Sequence, residues 1–202
     1  MATVKEIPAK LVAELRARTG AGMMDCKRAL EEAGGDLEKA ADILRKQNKA
    51  KADKRSGRVA AEGLVEAYVH FNGRVGVLVE LNCETDFVAR TDAFRALAKD
   101  LALHIASAAP IAVRVEDVPA DVIAREREIY LAQLAEEQKP DQVKAKIVDG
   151  RLKKFFEERV LLEQKFVKDD KRTVADLVKE LSGKTGENVQ VRRFVRFELG
   201  GN

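Results

Sequence analysis

The spacing of apolar residues changes near Gly57, and this change constrains the fold more than any other feature of the sequence. Before Gly57, apolar residues recur every three or four positions, which is the pattern of helices with one buried face. After it, the segments EGLVEAYVH and RVGVLVEL alternate around the segment FNGR at residues 71–74. Alternation on both sides of Asn-Gly predicts a β-hairpin, here with a type I′ turn.

Three short helices are predicted before this change in spacing. The first is broken by the glycines of the segment TGAG, and the second, MMDCKRALEEA, ends at Gly34-Gly35. Asp36 is placed to cap the third helix, because a carboxylate there can accept hydrogen bonds from free backbone N–H groups. We therefore predict a three-helix module with a basic linker in residues 1–55 and a second domain in residues 56–202.

The second domain is predicted to combine the hairpin with helices and a closing strand. A helix capped by Thr91 or Asp92 carries one apolar face, formed by Phe94, Leu97, Leu101 and Ile105. Two more helices are predicted near residues 121–137 and 142–164, followed by the stretch FVKDD, a helix in TVADLVKELSGK and a strand in NVQVRRFVRFEL. This order predicts an α+β fold, in which the three-helix module precedes a core with a small antiparallel sheet packed on helices.

The composition argues against several classes of protein. The apolar runs are all shorter than the roughly eighteen residues of a membrane span, so we expect a cytoplasmic protein without membrane contact. Charged residues make up 35% of the chain but leave a net charge of only +3, which gives no global field to attract nucleic acid. Cys26 and Cys83 lack metal-ligand spacing, which predicts two buried thiols rather than a disulfide or a zinc site.

The residues also argue against catalytic chemistry. His104 lies beside the apolar face of its helix and is predicted to be a surface or partly buried residue, and His70 lies at the hairpin turn. Neither histidine has a serine or cysteine near it in a recognisable pattern. The segment SGKT at residues 182–185 resembles the end of a phosphate-binding loop, but Val178 stands where that loop needs a glycine. We therefore expect no enzyme activity, no cofactor and no metal.

Two basic segments each allow two interpretations. Residues 45–58 carry seven basic residues against the single Asp53, which suits a solvated helix end running into a linker, or a contact with RNA or an acidic partner. The final strand interleaves basic and aromatic residues, which suits a sheet with one core face and one covered or interfacial face, or single-stranded RNA binding. Its two faces carry Arg192, Phe194 and Arg196 on one side and Val191, Val195 and Phe197 on the other. Because the net charge is nearly neutral, direct nucleic-acid binding is not expected.

The segment NCETDFVAR at residues 82–90 places an acid and a large aromatic side by side where a strand ends. Taken alone, the residues favour a local interpretation, in which Asp86 caps a short helical turn and Phe87 enters the core. The other interpretation is that Phe87 is presented to a partner.

Three segments of the chain resemble signature segments of the bacterial elongation factor Ts family, in its short, single-core form. They are RARTGAGMMDCKRAL at residues 16–30, ELNCETDFVAR at residues 80–90 and GENVQVRRFVRFEL at residues 186–199. The resemblance implies a guanine nucleotide exchange factor for the translational GTPase elongation factor Tu, which promotes GDP release during protein synthesis. Such a factor acts by protein contact, without covalent chemistry.

The resemblance also implies roles for particular residues. Thr85, Asp86, Phe87 and Val88 are expected to reach the partner near its Mg²⁺ site, with Phe87 as a wedge and Asp86 helping to displace Mg²⁺ and disturb the phosphate site. The N-terminal module is similar to a ubiquitin-associated domain and is expected to dock on the partner's nucleotide-binding domain. Its expected contacts are Arg16, Met23, Met24 and Lys27, and His70 is expected to be a secondary contact.

The length of the second domain bears on the oligomeric state. Longer members of the family carry two copies of the core subdomain, whereas this chain has one. It is similar to homodimeric members, so we expect a homodimer joined through the sheets. Two other functions remain open on the sequence: an adaptor that binds another protein through its ubiquitin-associated-like module, and an RNA-binding protein that uses residues 45–58 and 192–196.

Overall fold

The computed structural model describes residues 7–135, 137 and 139–201, which form a mixed fold of helices and strands. Within them, eight α-helices and a short 3₁₀ helix are seen: α1 Ala9–Thr19, α2 Met23–Glu32, α3 Leu37–Asp53, α4 Asp86–Ala89, α5 Asp92–Ala108, α6 Ala120–Gln133, α7 Asp141–Arg159 and α8 Val174–Thr185, with the 3₁₀ helix at Val115–Asp117. The strands are β1 Glu62–Val69, β2 Val75–Cys83, β3 Lys165–Phe166, β4 Asp169–Thr173 and β5 Gln190–Glu198. The predicted α+β class is confirmed.

The first three helices form the predicted helical module. Their fully buried side chains include Leu15, Cys26 and Leu30, which pack in one apolar cluster. Gly20 ends α1 with a φ of 67°, a left-handed conformation that glycine adopts without strain. As predicted, Asp36 caps α3, and its carboxylate accepts hydrogen bonds from the backbone N–H groups of residues 38 and 39.

Strands β1, β2 and β5 form a three-stranded sheet in the order β1-β2-β5. The predicted hairpin of β1 and β2 is present, but the prediction that a type I′ turn joins them is wrong. The backbone N–H of His70 donates to the carbonyl of Val75 at 2.9 Å, which closes a four-residue loop. Within the loop Gly73 has a positive φ of 68° and Asn72 does not, whereas a type I′ turn needs positive φ at both positions.

The chain divides into two compact units, and each is drawn from separate stretches of sequence. One unit contains the described residues up to Gly63 together with residues 82–94 and 178–190. The other contains residues 64–81, 95–177 and those from Val191 onward. The segment with Asp86 and Phe87 therefore belongs to the same unit as the N-terminal helices. The predicted division at residue 55 stays a prediction.

The first unit is held together by contacts between the end of α3 and residues 178–185 of α8. The Lys179 ammonium pairs with the Asp53 carboxylate at 2.7 Å, and the Arg55 guanidinium donates to the carbonyl of Ser182. Gly183 lies so close to α3 that a Cβ there would come within 2.5 Å of the Asn48 Cβ. A glycine at position 183 thus allows the two helices to approach closely.

The second unit buries one face of the sheet and the apolar face of α5. Up to Leu81, the buried residues of β2 are those of one alternating set, Val77, Val79 and Leu81. Leu97, Leu101 and Ile105 of α5 are buried as predicted. Helices α6 and α7 share a smaller cluster around Leu134, Val148 and Leu152. Strands β3 and β4 form an antiparallel ribbon that the stretch FVKDD did not reveal, because it is short and mostly charged.

His104 is fully buried in the second unit, so the prediction of a surface or partly buried histidine is wrong. Its Nδ1 accepts a hydrogen bond from the backbone N–H of Val167, which leaves Nε2–H to donate to Gln164 Oε1 at 2.9 Å. Burial lowers the pKa of His104, because the charged imidazolium is poorly solvated there.

A lowered histidine pKa predicts a loss of stability in mild acid. The unfolded chain binds a proton near pH 6.5 while the folded chain does not, so the free energy of unfolding should fall as the pH drops below about 6.5, by at most about 1.4 kcal/mol per pH unit. Above that pH, His104 contributes no slope. Urea unfolding of the natural chain and of His104→Gln between pH 5 and 8 should show a shallower slope for the variant. Equal slopes would contradict the assignment to His104.

Candidate partner-binding site

Helix α4 presents the acid and the aromatic of the segment TDFV in the first unit. Thr85 precedes the helix, and its hydroxyl accepts a hydrogen bond from the backbone N–H of Val88 at 3.4 Å. Thr85 is therefore the cap, and the local prediction that Asp86 fills this role is wrong. Asp86 is the first residue of the helix, a position where the helix dipole favours a carboxylate. Its carboxylate pairs with Arg90 at 2.7 Å.

The ring of Phe87 points away from its own unit. Its exposed fraction is 77%, so the prediction that it enters the core is wrong. Val88 is half-buried and Ala89 is buried, so α4 is attached by its last residues and displays Phe87 on the outside. An exposed large aromatic on a capped turn is typical of a residue that packs against a partner.

Glu187, which sequence reasoning did not single out, contacts the start of this turn. One carboxylate oxygen accepts the backbone N–H groups of Glu84 and Thr85, each at 3.0 Å, and the other accepts the Thr85 hydroxyl at 2.6 Å. In the sequence, Glu187 lies in the segment GENVQ, which resembles the family but gave no role to its acid.

Cys83 also forms a hydrogen bond with Thr85. Its thiol is buried, as predicted, and donates to the carbonyl of Thr85 at 3.1 Å. Burial raises the pKa of this thiol to about 11, and the negative charge of Glu187 adds to the effect. The S–H group therefore stays protonated and available as a donor at neutral pH.

The four residues expected to form the contact surface of the module lie together. Arg16, Met23, Met24 and Lys27 line one groove of about 780 Å³, between α1 and α2. The rest of its lining is largely apolar and includes Ile7, Val12, Ala13 and Ala17. Both methionines are exposed, and flexible thioether side chains adapt well to a partner's apolar surface. We call this surface the α1–α2 groove.

Comparison with known proteins decides which family this arrangement belongs to. A family profile described as Elongation factor TS matches residues 29–201. The elongation factor Ts of Carboxydothermus hydrogenoformans is 61% identical over 194 residues, which cover 96% of this chain and 89% of that protein. The chain belongs to the elongation factor Ts family. The elongation factor Ts of Thermotoga petrophila is 56% identical over 195 residues, which cover 96% of this chain and 97% of that protein.

His70, the secondary contact expected from resemblance to the family, lies in the other unit. It follows β1 and is half-buried. Its Nδ1 is 2.9 Å from the Tyr68 hydroxyl, and its ring lies 4.4 Å from that of Phe71, centroid to centroid. It is thus held by neighbours on its own hairpin.

Three of the seven basic residues in the segment 45–58 form ion pairs inside their own unit. Arg45 pairs with Asp42, Lys51 with Asp25 at 2.9 Å, and Arg58 with Glu84 at 3.6 Å. The Lys51 ammonium is also the main cause of a lowered pKa at Asp25. These carboxylates compete with a phosphate backbone for three of the segment's cations, which weakens the case for RNA binding there.

The outer face of the three-stranded sheet is apolar and exposed. Arg196 of β5 donates to the carbonyl of Ala106 in α5, which places that side of the strand against the helix. On the other side, Val195 and Phe197 are exposed while Val191 is buried. Val195 lines a shallow depression on this face together with Val65 of β1 and Leu78 of β2. Arg193 and Glu80, which also line it, form an ion pair at 2.7 Å. We call this surface the open sheet face.

The described residues show neither a metal cluster nor a membrane span. Among residues 7–135, 137 and 139–201, no three His, Cys, Asp or Glu side chains are grouped as a metal ion would need. Within the same ranges, no helix has the length and apolar character needed to cross a bilayer. The SGKT segment lies in the last turn of α8, where Lys184 pairs with Glu180.

Proposed function

We propose that this chain is a guanine nucleotide exchange factor that acts on elongation factor Tu in the cytoplasm. The observation that carries the proposal is the 77% exposure of Phe87 on a capped turn, within the segment that resembles the family's exchange motif. Membership of the elongation factor Ts family supports the coarser role in translation elongation. The chain acts by contact alone, and its own residues carry no covalent step.

The turn at residues 85–88, which we call the exchange turn, supplies two side chains suited to loosening a nucleotide site. The ring of Phe87 can enter an apolar gap of the partner, and the burial of an aromatic side chain can provide several kcal/mol. The carboxylate of Asp86 can compete for the groups around Mg²⁺, whose contacts with the phosphates hold GDP. A thousandfold weaker grip on GDP costs about 4 kcal/mol, and GDP must weaken binding of the factor by the same factor.

The α1–α2 groove supplies docking energy at a distance from the nucleotide. Its apolar floor and its two cations, Arg16 and Lys27, fit an amphipathic helix with acidic residues beside its apolar face. The module is in this respect similar to a ubiquitin-associated domain. Docking there raises the local concentration of the turn at its target, while His70 adds a contact from the second unit.

The open sheet face provides the means to form a homodimer. Exposed apolar side chains from three neighbouring strands are unusual on a surface that stays in water. A second copy of the chain offers the same apolar set and the same Arg193–Glu80 pair, so two faces are complementary in chemistry. The dimer would carry two exchange turns and two α1–α2 grooves.

The proposed activity is tested by the release of a fluorescent GDP analogue from elongation factor Tu. With excess unlabelled GDP present, the chain should raise the release rate above the spontaneous rate and reach a plateau as its concentration increases. Added millimolar Mg²⁺ should oppose the effect, because it refills the site that the turn disturbs. Release at the spontaneous rate at all concentrations of the chain would reject the proposal.

Replacing Met24 by alanine should weaken docking without altering the exchange step. The Met24 side chain lines the groove and is 64% exposed, so its loss leaves no cavity in the module. We expect the half-saturating concentration to rise about tenfold, since a buried methionine contributes roughly 1.5 kcal/mol or more, while the maximum release rate stays unchanged. Val59→Ala is the matched control, because Val59 is 83% exposed and lies outside the groove. A reduced maximum rate in Met24→Ala would contradict a pure docking role.

A further inference from the structure

The exchange turn cannot hold its own shape. Helix α4 has four residues, which is too short for a helix to be stable in isolation. Its hydroxyl cap at Thr85 makes a single long hydrogen bond of 3.4 Å. A wedge acts on a partner only if it is held in place, because a displaced ring would relax instead of moving the partner's groups. The fixed geometry must therefore come from residues outside the turn.

Glu187 accepts three hydrogen bonds at the start of the turn, where the Cys83 thiol donates one. Its carboxylate accepts the Glu84 and Thr85 backbone N–H groups and the Thr85 hydroxyl, at 3.0, 3.0 and 2.6 Å. All the atoms involved belong to one compact unit, although Glu187 is 102 residues from Thr85 in the sequence. Hydrogen bonds to a charged acceptor are among the stronger ones in proteins. Three of them on adjacent residues set the position of Thr85, and thereby the direction in which α4 begins.

Glu187 is itself held by its surroundings. Its carbonyl accepts the Ser182 hydroxyl at 2.5 Å, which ties it to the end of α8. The next residue, Asn188, donates its backbone N–H to the Glu84 carboxylate at 2.6 Å and its side-chain amide to the carbonyl of Arg58 at 2.7 Å. These bonds connect the exchange turn to the segment that follows the helical module. The carboxylate is thus presented from a braced position.

We propose that Glu187 is a positioning residue for nucleotide exchange, which acts through Thr85 to hold Asp86 and Phe87 at the angle needed to disturb the partner's nucleotide site. This inference rests on the proposed exchange function. Glu187 makes no contact of its own with the nucleotide. Replacing Glu187 leaves the α1–α2 groove intact, so the replacement affects the exchange step and not docking.

The test separates the exchange step from docking by measuring GDP release at increasing concentrations of the chain. Glu187→Ala should lower the maximum release rate by about 10- to 100-fold, which is typical of misplaced reacting groups. The half-saturating concentration should stay within about threefold of the natural value. Glu187→Gln should restore the maximum rate to within about threefold, because its amide oxygen can accept the two N–H groups and its NH₂ can bond the Thr85 hydroxyl. Glu163→Ala, at an exposed position, is the control and should behave as the natural chain.

Two results would overturn the inference and leave the exchange function standing. The first is an unchanged maximum rate in Glu187→Ala. The second is an equal loss in Glu187→Ala and Glu187→Gln, which would show that the charge itself acts and not the bonding. If the natural chain does not accelerate GDP release at all, the proposed function fails first.

A second measurement on the natural chain does not depend on any variant folding. In amide hydrogen exchange by NMR, the N–H groups of Glu84 and Thr85 should exchange at least about tenfold more slowly than that of Phe87, because they are bonded to the carboxylate. In Glu187→Gln this protection should persist. Exchange at the intrinsic rate at both positions in the natural chain would show that the brace is not formed, and the inference would be lost.

Discussion

Phe87→Ala is expected to lower the second-order rate constant of catalysed GDP release by about 100-fold while leaving the fold unchanged. The reason for the first effect is energetic. An aromatic anchor buried in a partner's pocket contributes roughly 3 kcal/mol, and each 1.4 kcal/mol is about a factor of ten. The reason for the second is structural. With 77% of its surface exposed, Phe87 supports no packing in its own unit.

The measurement combines stopped-flow release of a fluorescent GDP analogue with thermal unfolding. Val59→Ala is the matched control, because Val59 is an apolar residue with an exposed fraction of 83%, so its truncation removes little packing. It should change neither the rate nor the midpoint of unfolding by more than the scatter of the assay. If Phe87→Ala unfolds several degrees lower than the natural chain, the ring is part of the core in solution. A natural rate in the variant would remove Phe87 from the mechanism.

The parts of the fold that the sequence predicted are those set by neighbouring residues. The helical module follows from glycines that end helices and from Asp36, which caps α3 with its own next residues. The hairpin follows from alternation around Asn-Gly, but its turn type did not, because His70 and Val75 close a loop of four residues rather than two. Neighbouring residues therefore predicted the helices and strands more reliably than the geometry of the turn that joins two strands.

The features that the sequence did not predict depend on contacts between distant residues. His104 is buried because Gln164, 60 residues away, provides a hydrogen-bond partner for its ring. Phe87 is exposed on a turn whose start, Thr85, is bonded by a carboxylate from position 187, 102 residues away. Glu187 lies in a segment that resembles the family, but nothing in its neighbouring residues indicates its role, since an acid after a glycine in a loop is common. Resemblance to the family pointed to residues 85–88, of which Phe87 is exposed, but not to Glu187, which bonds the start of that turn.

Leu78→Asp is expected to convert the proposed homodimer into a monomer. Leu78 lies on the open sheet face between neighbouring strands, with an exposed fraction of 47% in the single chain. A carboxylate there would face the apolar face of a second copy, close to Glu80 of its own strand. Burying an unpaired charge costs several kcal/mol, which is comparable to the stability of a modest interface. The single chain should still fold, because in it this position remains in contact with water.

Sedimentation equilibrium distinguishes the two states by mass. The natural chain should sediment with twice the mass of the 22.4 kDa chain, and Leu78→Asp with that of one chain. Leu131→Asp is the matched control, because it adds the same charge to a leucine of α6 with an exposed fraction of 45%, outside the strands of the sheet, and it should remain dimeric. If Leu78→Asp also remains dimeric, the subunits join elsewhere, and β5 becomes the first alternative because it is an outer strand of the three-stranded sheet. A natural chain with the mass of one copy would leave the open sheet face without its proposed occupant.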